Sequence, residues 1–271
     1  MSTFKRKTVL VTGGASGIGR LMGEKCLRLG ASRVIIWDIN PKGMEETLAH
    51  WSSLGFDAEG YLTDLSDVTS IEDAARQTME RHGAVDILFN NAGIVVGKMF
   101  EDHSREDIDK TLAINVAGVM HVARVVLPGM IRKGEGHIIN IASAAGLTAN
   151  PKMSVYAASK WAVMGWSESL RLEMERLHPG IKVTTVAPSY IKTGMFDGAK
   201  APLVTPLLEP EFLAGRVIEA VKNNEIMVME PASVNLLGPL KGLLPTRVFD
   251  FVADKVFGVY NTMDEFKGRN G

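Results

Sequence analysis

Seven short β-rich apolar runs alternate with helix-length segments along this chain, and that alternation leaves little choice of fold. The runs lie at Thr8–Thr12, Arg33–Trp37, Phe56–Leu62, Val85–Asn90, His137–Ile141, Ile181–Val186 and Glu225–Met229. Between them stand Gly17–Leu29, Pro41–Leu54, Asp67–Arg81, a long stretch from about Ser104 to Met130, Ser154–Leu177 and Glu211–Asn223. Strands joined only through helices pair in parallel, and right-handed crossovers place the helices on both faces. The pattern therefore predicts an α/β fold, a doubly wound parallel sheet of about seven strands forming a single domain over residues 1–271. Asn40 before Pro41 marks a helix start, and Gly30 a helix stop. Segment 188–210 breaks the rhythm with Pro188, Gly194, Gly198, Pro202, Pro206 and Pro210, and reads as a long functional loop.

Composition narrows the functional classes. Hydrophobic residues make up 46% of the chain and charged residues 23%, enough apolar material for a real core. Thirty basic against thirty-one acidic residues leave no field to hold a nucleic acid backbone. One cysteine, Cys26, cannot close an intrachain disulfide, and the six histidines show no zinc-ligand spacing, so no metal is expected. Lys5, Arg6 and Lys7 run straight into the first strand without a signal-peptide core. No uninterrupted apolar run approaches about 18 residues, so no membrane-spanning helix is expected. A cytoplasmic protein is the expectation.

The first strand runs into Thr12-Gly13-Gly14-Ala15-Ser16-Gly17-Ile18-Gly19, which opens the first helix. Glycines there permit a tight turn and let backbone N–H groups approach a pyrophosphate at the positive end of the helix. Asp38 ends the second strand about 20 residues on, where a carboxylate accepts hydrogen bonds from ribose hydroxyls. Together they point to a Rossmann-type dinucleotide site. A Walker A loop is excluded, because Arg20 and Leu21 fall where Lys and Ser or Thr are required. The Asp38 charge opposes a ribose phosphate, which favours NAD over NADP. The alternative is that Arg33 or Arg20 swings in to hold that phosphate.

Tyr156 and Lys160 are one helical turn apart and share a face. A neighbouring ammonium is expected to lower the phenol's pKa and tune it for proton transfer. Ser143 ends the fifth strand, at the sheet edge where active sites of open α/β folds lie.

On these residues the chain resembles the short-chain dehydrogenase/reductase family. The ordered set covers almost the whole chain: the Thr12–Gly19 loop, Asp64, Asn90-Asn91-Ala92-Gly93, Asn115, Ser143, Tyr156, Lys160, Pro188 and Thr193. The resemblance implies Tyr156 as general acid/base, with Lys160 lowering its pKa and binding the nicotinamide ribose. It implies that Ser143 polarises the substrate oxygen and that Asn115 holds a water in the proton relay. Cofactor contacts are implied for Gly13, Ala15, Ser16, Gly17, Ile18, Gly19, Asp38 and Ile39, for Asp64 and Leu65, and for Asn91, Ala92 and Gly93. Tyr156, Lys160, Pro188, Ile191 and Thr193 complete that set. Ser189 departs from the family's frequent Gly after the proline.

Trp161, Val163, Met164, Trp166 and Leu170 leave the helix from Ser154 with little polar surface besides its site face. The resemblance implies that this helix and the one carrying Asn115 pair two copies, as a homodimer or homotetramer. Packing within one monomer is the other reading.

The apolar extension over residues 231–271 opens with an unusually uncharged stretch, Lys241 being the one charge between Ala232 and Pro245. Thr246 is expected to cap a helix carrying Val248, Val252, Val256 and Tyr260, with Phe249 and Phe257, at helical spacing. Such a stripe is core, a subunit contact, a lid over a lipophilic substrate, or a membrane-surface contact rimmed by Lys241, Arg247 and Lys255. The runs Leu244–Arg247, Met263–Arg269 and Thr193–Phe196 resemble the retinol and hydroxysteroid dehydrogenase branch. That resemblance implies a bulky apolar alcohol or carbonyl such as a retinoid, steroid or long-chain alcohol, in a pocket lined by Met153, Met195, Phe196, Leu203 and Leu207. Branch members often carry an N-terminal membrane anchor, and the sequence ahead of Lys5 does not read as one. The competing readings are an oxidoreductase for a small polar or acyl-thioester ketone, and a dinucleotide sensor without turnover.

Overall fold

The computed structural model describes residues 1–203 and 205–268. Its strands are β1 (Thr8–Thr12), β2 (Arg33–Asp38), β3 (Ala58–Leu62), β4 (Ile87–Asn90), β5 (Gly136–Ile141), β6 (Ile181–Pro188) and β7 (Met227–Glu230). They form one sheet in the order β3-β2-β1-β4-β5-β6-β7, with every pairing parallel. The chain winds outward in both directions from β1 and β4, so a crevice opens beyond their C-terminal ends. All seven expected strands are present, with ends moved by two residues at most. The shifts have local causes. Phe56 closes the turn after the second helix through its N–H to the Trp51 carbonyl at 3.1 Å, and Glu225 closes another through its N–H to Ala220 at 3.0 Å.

Side chains alternate across the sheet. Val9, Val11, Ile36, Ile139 and Val186 face one way, toward α1 (Gly17–Arg28), α2 (Pro41–Ser53) and α7 (Pro210–Asn223). Leu10, Ile35, Trp37, Leu88 and Ile138 face α3 (Val68–His82), α5 (Val119–Lys133) and α6 (Ser154–Leu177). Both faces are covered, as an all-parallel sheet requires. Asn40 caps α2, its side chain accepting the Gly43 N–H at 3.1 Å, and Gly30 leaves α1 with φ +87°.

The long stretch from Ser104 is not a uniform helix. α4 (Arg105–Leu112) passes into a π-helical turn at Ala113–Gly118 before α5 begins. One such turn inserts an extra residue into the helical ladder, which periodicity alone does not reveal. By length and composition the run Arg105–Lys133 could cross a membrane, with an 18-residue window of mean hydropathy 1.5. Val122, Val126 and Met130 from it lie in the core against the sheet.

After β7 come a 3₁₀ turn at Ala232–Leu236, α8 (Leu237–Leu243), α9 (Thr246–Phe251) and a π-helical turn at Val252–Val256. Here the structure corrects two expectations. Pro245, not Thr246, holds the N-cap position. Phe249 and Ala253 are the buried positions, while Val248 and Val256 from the expected stripe are about half exposed, at 46% and 49%. The short helices and the π turn rotate the stripe out of register. Arg269, the last residue of the Met263–Arg269 run, lies outside the described residues, as do 270, 271 and Val204.

Candidate active site

The loop between β1 and α1 is fastened from three sides. Thr12 Oγ1 accepts the N–H groups of Asn91 at 3.0 Å and Ala92 at 3.1 Å. Asn91 Nδ2 donates to the carbonyl oxygens of Thr12 at 2.9 Å and Gly13 at 3.2 Å. Asp38 accepts from the N–H groups of Ala15 and Asn40, both at 2.9 Å. Gly13 and Gly17 sit at φ +65° and +54°, where L side chains are strained. A Cβ on Gly19 would lie 2.2 Å from the Gly13 carbonyl oxygen, so only glycine lets α1 pack this closely on the loop.

This loop forms one wall of a cleft of about 260 Å³ at the C-terminal ends of the strands. Among the residues expected to hold a cofactor, Gly13, Ser16, Gly17, Ile18, Asp38, Ile39, Asp64, Leu65, Asn91, Ala92, Gly93, Tyr156, Lys160, Pro188, Ile191 and Thr193 line it, together with Ser143. Ala15, Gly19 and Asn115 do not reach the wall and stand behind it. Trp37, Asn40, Thr63, Ile94, Ile114, Ile141, Ala142 and Ser189 also line it and were not assigned to the cofactor by sequence. Their signal was proximity, since most adjoin residues that were. Asp64 shapes the rim by accepting the Ser66 N–H at 2.8 Å. Arg33 cannot serve a ribose near Asp38. It sits at the opposite end of β2 and pairs with Asp57 and His82.

Asn115 lies in the π-helical turn and is fully buried. Its Oδ1 accepts the Ile94 N–H at 2.9 Å, while its Nδ2 donates to the Ile94 carbonyl at 2.9 Å and Ser159 Oγ at 3.1 Å. The π turn thus aims this amide at the loop after β4. Lys160 Nζ donates to the Ile141 carbonyl at 3.0 Å and stands 5.6 Å from the centroid of the Tyr156 ring. Burial lowers the Lys160 pKa to about 8. Burial also pushes the Tyr156 phenol well above its ordinary range, with a hydrogen bond from Ser143 opposing the shift. The expected lowering by the ammonium is therefore corrected: in the protein alone, desolvation of the phenolate sets the direction of the shift. Ser143 Oγ also accepts the Ala145 N–H at 3.1 Å.

A second cavity, about 360 Å³, shares Ser143, Ser189 and Phe196 with the cleft. Its walls are mainly apolar, from Met153, Val234, Leu236, Leu237, Leu240, Phe257 and Val259. The sequence-based lining list is corrected in part. Met153 and Phe196 line this cavity, Met195 lines the cleft, Leu203 is 80% exposed, and Leu207 is in neither wall.

Residues 7–202 match the short chain dehydrogenase family. The chain belongs to that family. This short-chain dehydrogenase is 36% identical over 262 residues to human epidermal retinol dehydrogenase 2, covering 95% of this chain and 84% of the relative. It is 33% identical over 249 residues to estradiol 17-beta-dehydrogenase 11 of Pongo abelii, covering 92% of this chain and 82% of the relative. A short-chain dehydrogenase/reductase of Burkholderia phymatum, solved in complex with NAD, superposes with a TM-score of 0.82 at 26% identity, over 89% of this chain and 95% of that one. A metagenomic short-chain oxidoreductase in complex with NADP gives 0.72 at 28% identity, over 84% and 96%. The protein is thus an oxidoreductase of the branch that holds retinol and hydroxysteroid dehydrogenases.

Proposed function

We propose that this dehydrogenase transfers a hydride between NAD and a bulky lipophilic alcohol or its carbonyl. The observation that carries the reading is continuity: Ser143 and Phe196 belong both to the cleft holding Tyr156 and Lys160 and to the apolar cavity beyond. The cleft fits a dinucleotide, with its glycine cradle, the Asp38 carboxylate at its wall, and a buried ammonium on Lys160 whose protein acceptor is the Ile141 carbonyl. A bound nicotinamide supplies hydride exchange with the carbinol carbon.

The residues of this chain divide the remaining work. Ser143 Oγ orients and polarises the substrate oxygen. Tyr156 exchanges the hydroxyl proton, and its burial favours the neutral phenol, the form that donates a proton to a reduced carbonyl. Lys160 holds ribose hydroxyls and, when charged, stabilises phenolate during alcohol oxidation. Asn115 fixes the Ile94 backbone and holds a water in the relay beyond Lys160. Asp38 accepts from the adenosine ribose and repels a phosphate there. The loop around Phe196 and the extension around Leu237 and Leu240 close over the substrate, since all three line the second cavity. Exposed Leu243, Phe251 and Val256, beside Lys241, Arg247 and Lys255, suit a lipid surface from which such a substrate is loaded. Exposed Trp161 and Leu172 on α6 suit a homodimer.

The test is nicotinamide absorbance with NAD and NADP in parallel, on alcohols from small and polar to retinoid, steroid and long-chain. Turnover with NAD on the bulky apolar members is expected. Tyr156→Phe is expected to lower it by about 10²- to 10⁴-fold while binding NAD as before. Full activity in that variant would sink the acid/base assignment, and cofactor binding without turnover in the parent protein would favour a sensor.

A further inference from the structure

Residues 262–268 near the end of the chain touch all three of the loops that follow β4, β5 and β6. In the loop after β4, a Cβ on Gly97 would lie 2.2 Å from Cδ1 of Phe266, so the ring rests directly on that backbone. In the loop after β5, Asn150 Nδ2 donates to Thr262 Oγ1 at 2.6 Å and Lys152 Nζ to the Asp264 carbonyl at 2.9 Å. The loop after β6 is tied by its backbone in both directions. Its Asp197 carbonyl accepts the N–H groups of Lys267 at 2.8 Å and Gly268 at 3.3 Å, and its Lys200 N–H donates to the Thr262 carbonyl at 2.8 Å. Gly198, at φ +82°, lets the two segments come this close, because a Cβ there would lie 2.1 Å from the Glu265 carbonyl oxygen.

These ties converge on the Tyr156 ring. Met263, 1% exposed, forms one buried cluster with Met153 and Tyr156, against which Phe196 and Phe266 pack. The Phe196 ring meets the Tyr156 ring edge-on, with 6.1 Å between centroids and 81° between planes. Phe196 sits in a stretch of turns outside any helix or strand, and such segments open locally at little cost unless something holds them. Here both flanks are held. Tyr190, whose ring lies 5.2 Å from that of Phe196, shares a hydrogen bond of 2.8 Å with the Thr262 hydroxyl, and Asp197 is bonded to Lys267.

We propose that residues 262–268 are a clasp that positions Phe196 against Tyr156, with Phe266, seated on Gly97, as its positioning residue. Its consequence for catalysis, a phenol kept covered and aligned for proton transfer, rests on the dehydrogenase reading. The clasp itself does not.

Variants of the full chain test it. Phe266→Ala empties the seat on Gly97, and Lys267→Pro removes the N–H that Asp197 accepts, while Lys267→Ala keeps it. Amide exchange and the NMR signal of the Tyr156 ring, assigned by its loss in Tyr156→Phe, are read on the protein alone. Phe266→Ala and Lys267→Pro are each expected to speed exchange at the Lys200 amide about tenfold or more, with β1 and β4 unchanged. Both should move the Tyr156 signal toward its position in Phe196→Leu, as the Phe196 ring current is withdrawn, and Lys267→Ala should match the parent. With retinol, estradiol and decanol as alcohols, kcat should fall about tenfold or more in the first two variants, while the Kd for NAD stays within about twofold. A Tyr156 signal unmoved in either variant, exchange raised equally in β1 and β4, or Lys267→Ala behaving as Lys267→Pro overturns the clasp. A signal that moves while kcat holds leaves Phe266 a packing residue and overturns its positioning role. A signal that moves in a protein whose parent turns over no alcohol overturns the dehydrogenase reading and upholds the clasp.

Discussion

The Lys160 ammonium stands 5.6 Å from the centre of the Tyr156 ring and donates to the Ile141 carbonyl at 3.0 Å. Both side chains are at least nine-tenths buried, with 4% and 5% of their surface exposed. An ammonium so placed is costly for the protein alone, and on the proposed role it becomes favourable once ribose hydroxyls meet it, so affinity and stability would pull in opposite directions at this position.

That opposition can be measured. The Lys160 pKa of about 8 lies below its ordinary 10.5, so folding disfavours the charged form. Below about pH 8 the ammonium is charged in both states and the folded protein bears the full cost. The cost declines as pH rises through the window from 8 to 10.5 and is gone above it. Lys160→Met should therefore stabilise the cofactor-free protein at pH 7 by about 2 kcal/mol, that is, about 3 for the buried charge less about 1 for the lost hydrogen bond. The gap should narrow at pH 10. Urea unfolding at the two pH values checks this, and a variant less stable than the parent at both would refute it. The same variant should bind NAD at least tenfold more weakly.

On the function proposed above, cofactor choice rests on one carboxylate. Asp38 faces the cleft beside Ile39, which is 62% exposed. Asp38→Ser removes the repulsion and Ile39→Arg supplies a cation, so the double variant should shift the kcat/KM ratio toward NADP by about 100-fold or more. Steady-state kinetics with both cofactors decides it. An unmoved ratio would mean that discrimination lies elsewhere in the cleft.

At Gly19 a single methyl group should disturb the glycine loop directly. Its Cβ would meet the Gly13 oxygen at 2.2 Å and Asn91 Nδ2 at 2.6 Å, both held by other hydrogen bonds. Gly19→Ala is expected to cost about 2 kcal/mol or more through overpacking and to weaken NAD binding sharply. Thermal unfolding with and without NAD reads both effects.

Leu240 tests the role of the C-terminal extension. It lines the apolar cavity from α8, and neighbouring Lys241 lies 4.1 Å from the centre of the Trp161 ring, tying that helix to α6. Leu240→Glu should lower kcat/KM about tenfold or more for bulky apolar alcohols while sparing small ones. An equal loss for both would assign Leu240 to packing alone.

The sheet was legible because each strand is a short apolar run bounded by turn residues, and the cleft was legible because Gly13, Asp38, Ser143 and Tyr156 all fall at strand ends or helix starts. Other features escaped for physical reasons. The π turn around Asn115 changes no residue type, only the number of residues per turn. Leu237 and Leu240 look like any apolar helix positions until the chain folds them over Ser143, and Leu203 looks like a pocket residue yet faces solvent. The direction of the Tyr156 shift depended on how deeply the ring is buried, which four-residue spacing to a lysine does not report.

The central pairing of β1 with β4 sets a schedule for biosynthesis. Thr12 at the end of β1 cannot receive the Asn91 N–H until 79 further residues have been made, and the cleft takes side chains from as far along as Phe196. At about 5–20 residues per second, the glycine loop waits many seconds on the ribosome before its far wall exists. Until β4 has been made, β1 offers two unpaired edges, and β2 can cover only one of them. The emerging chain is thus most exposed to wrong partners well before it can bind the dinucleotide, and cofactor supply cannot rescue it until the sixth strand has been synthesised.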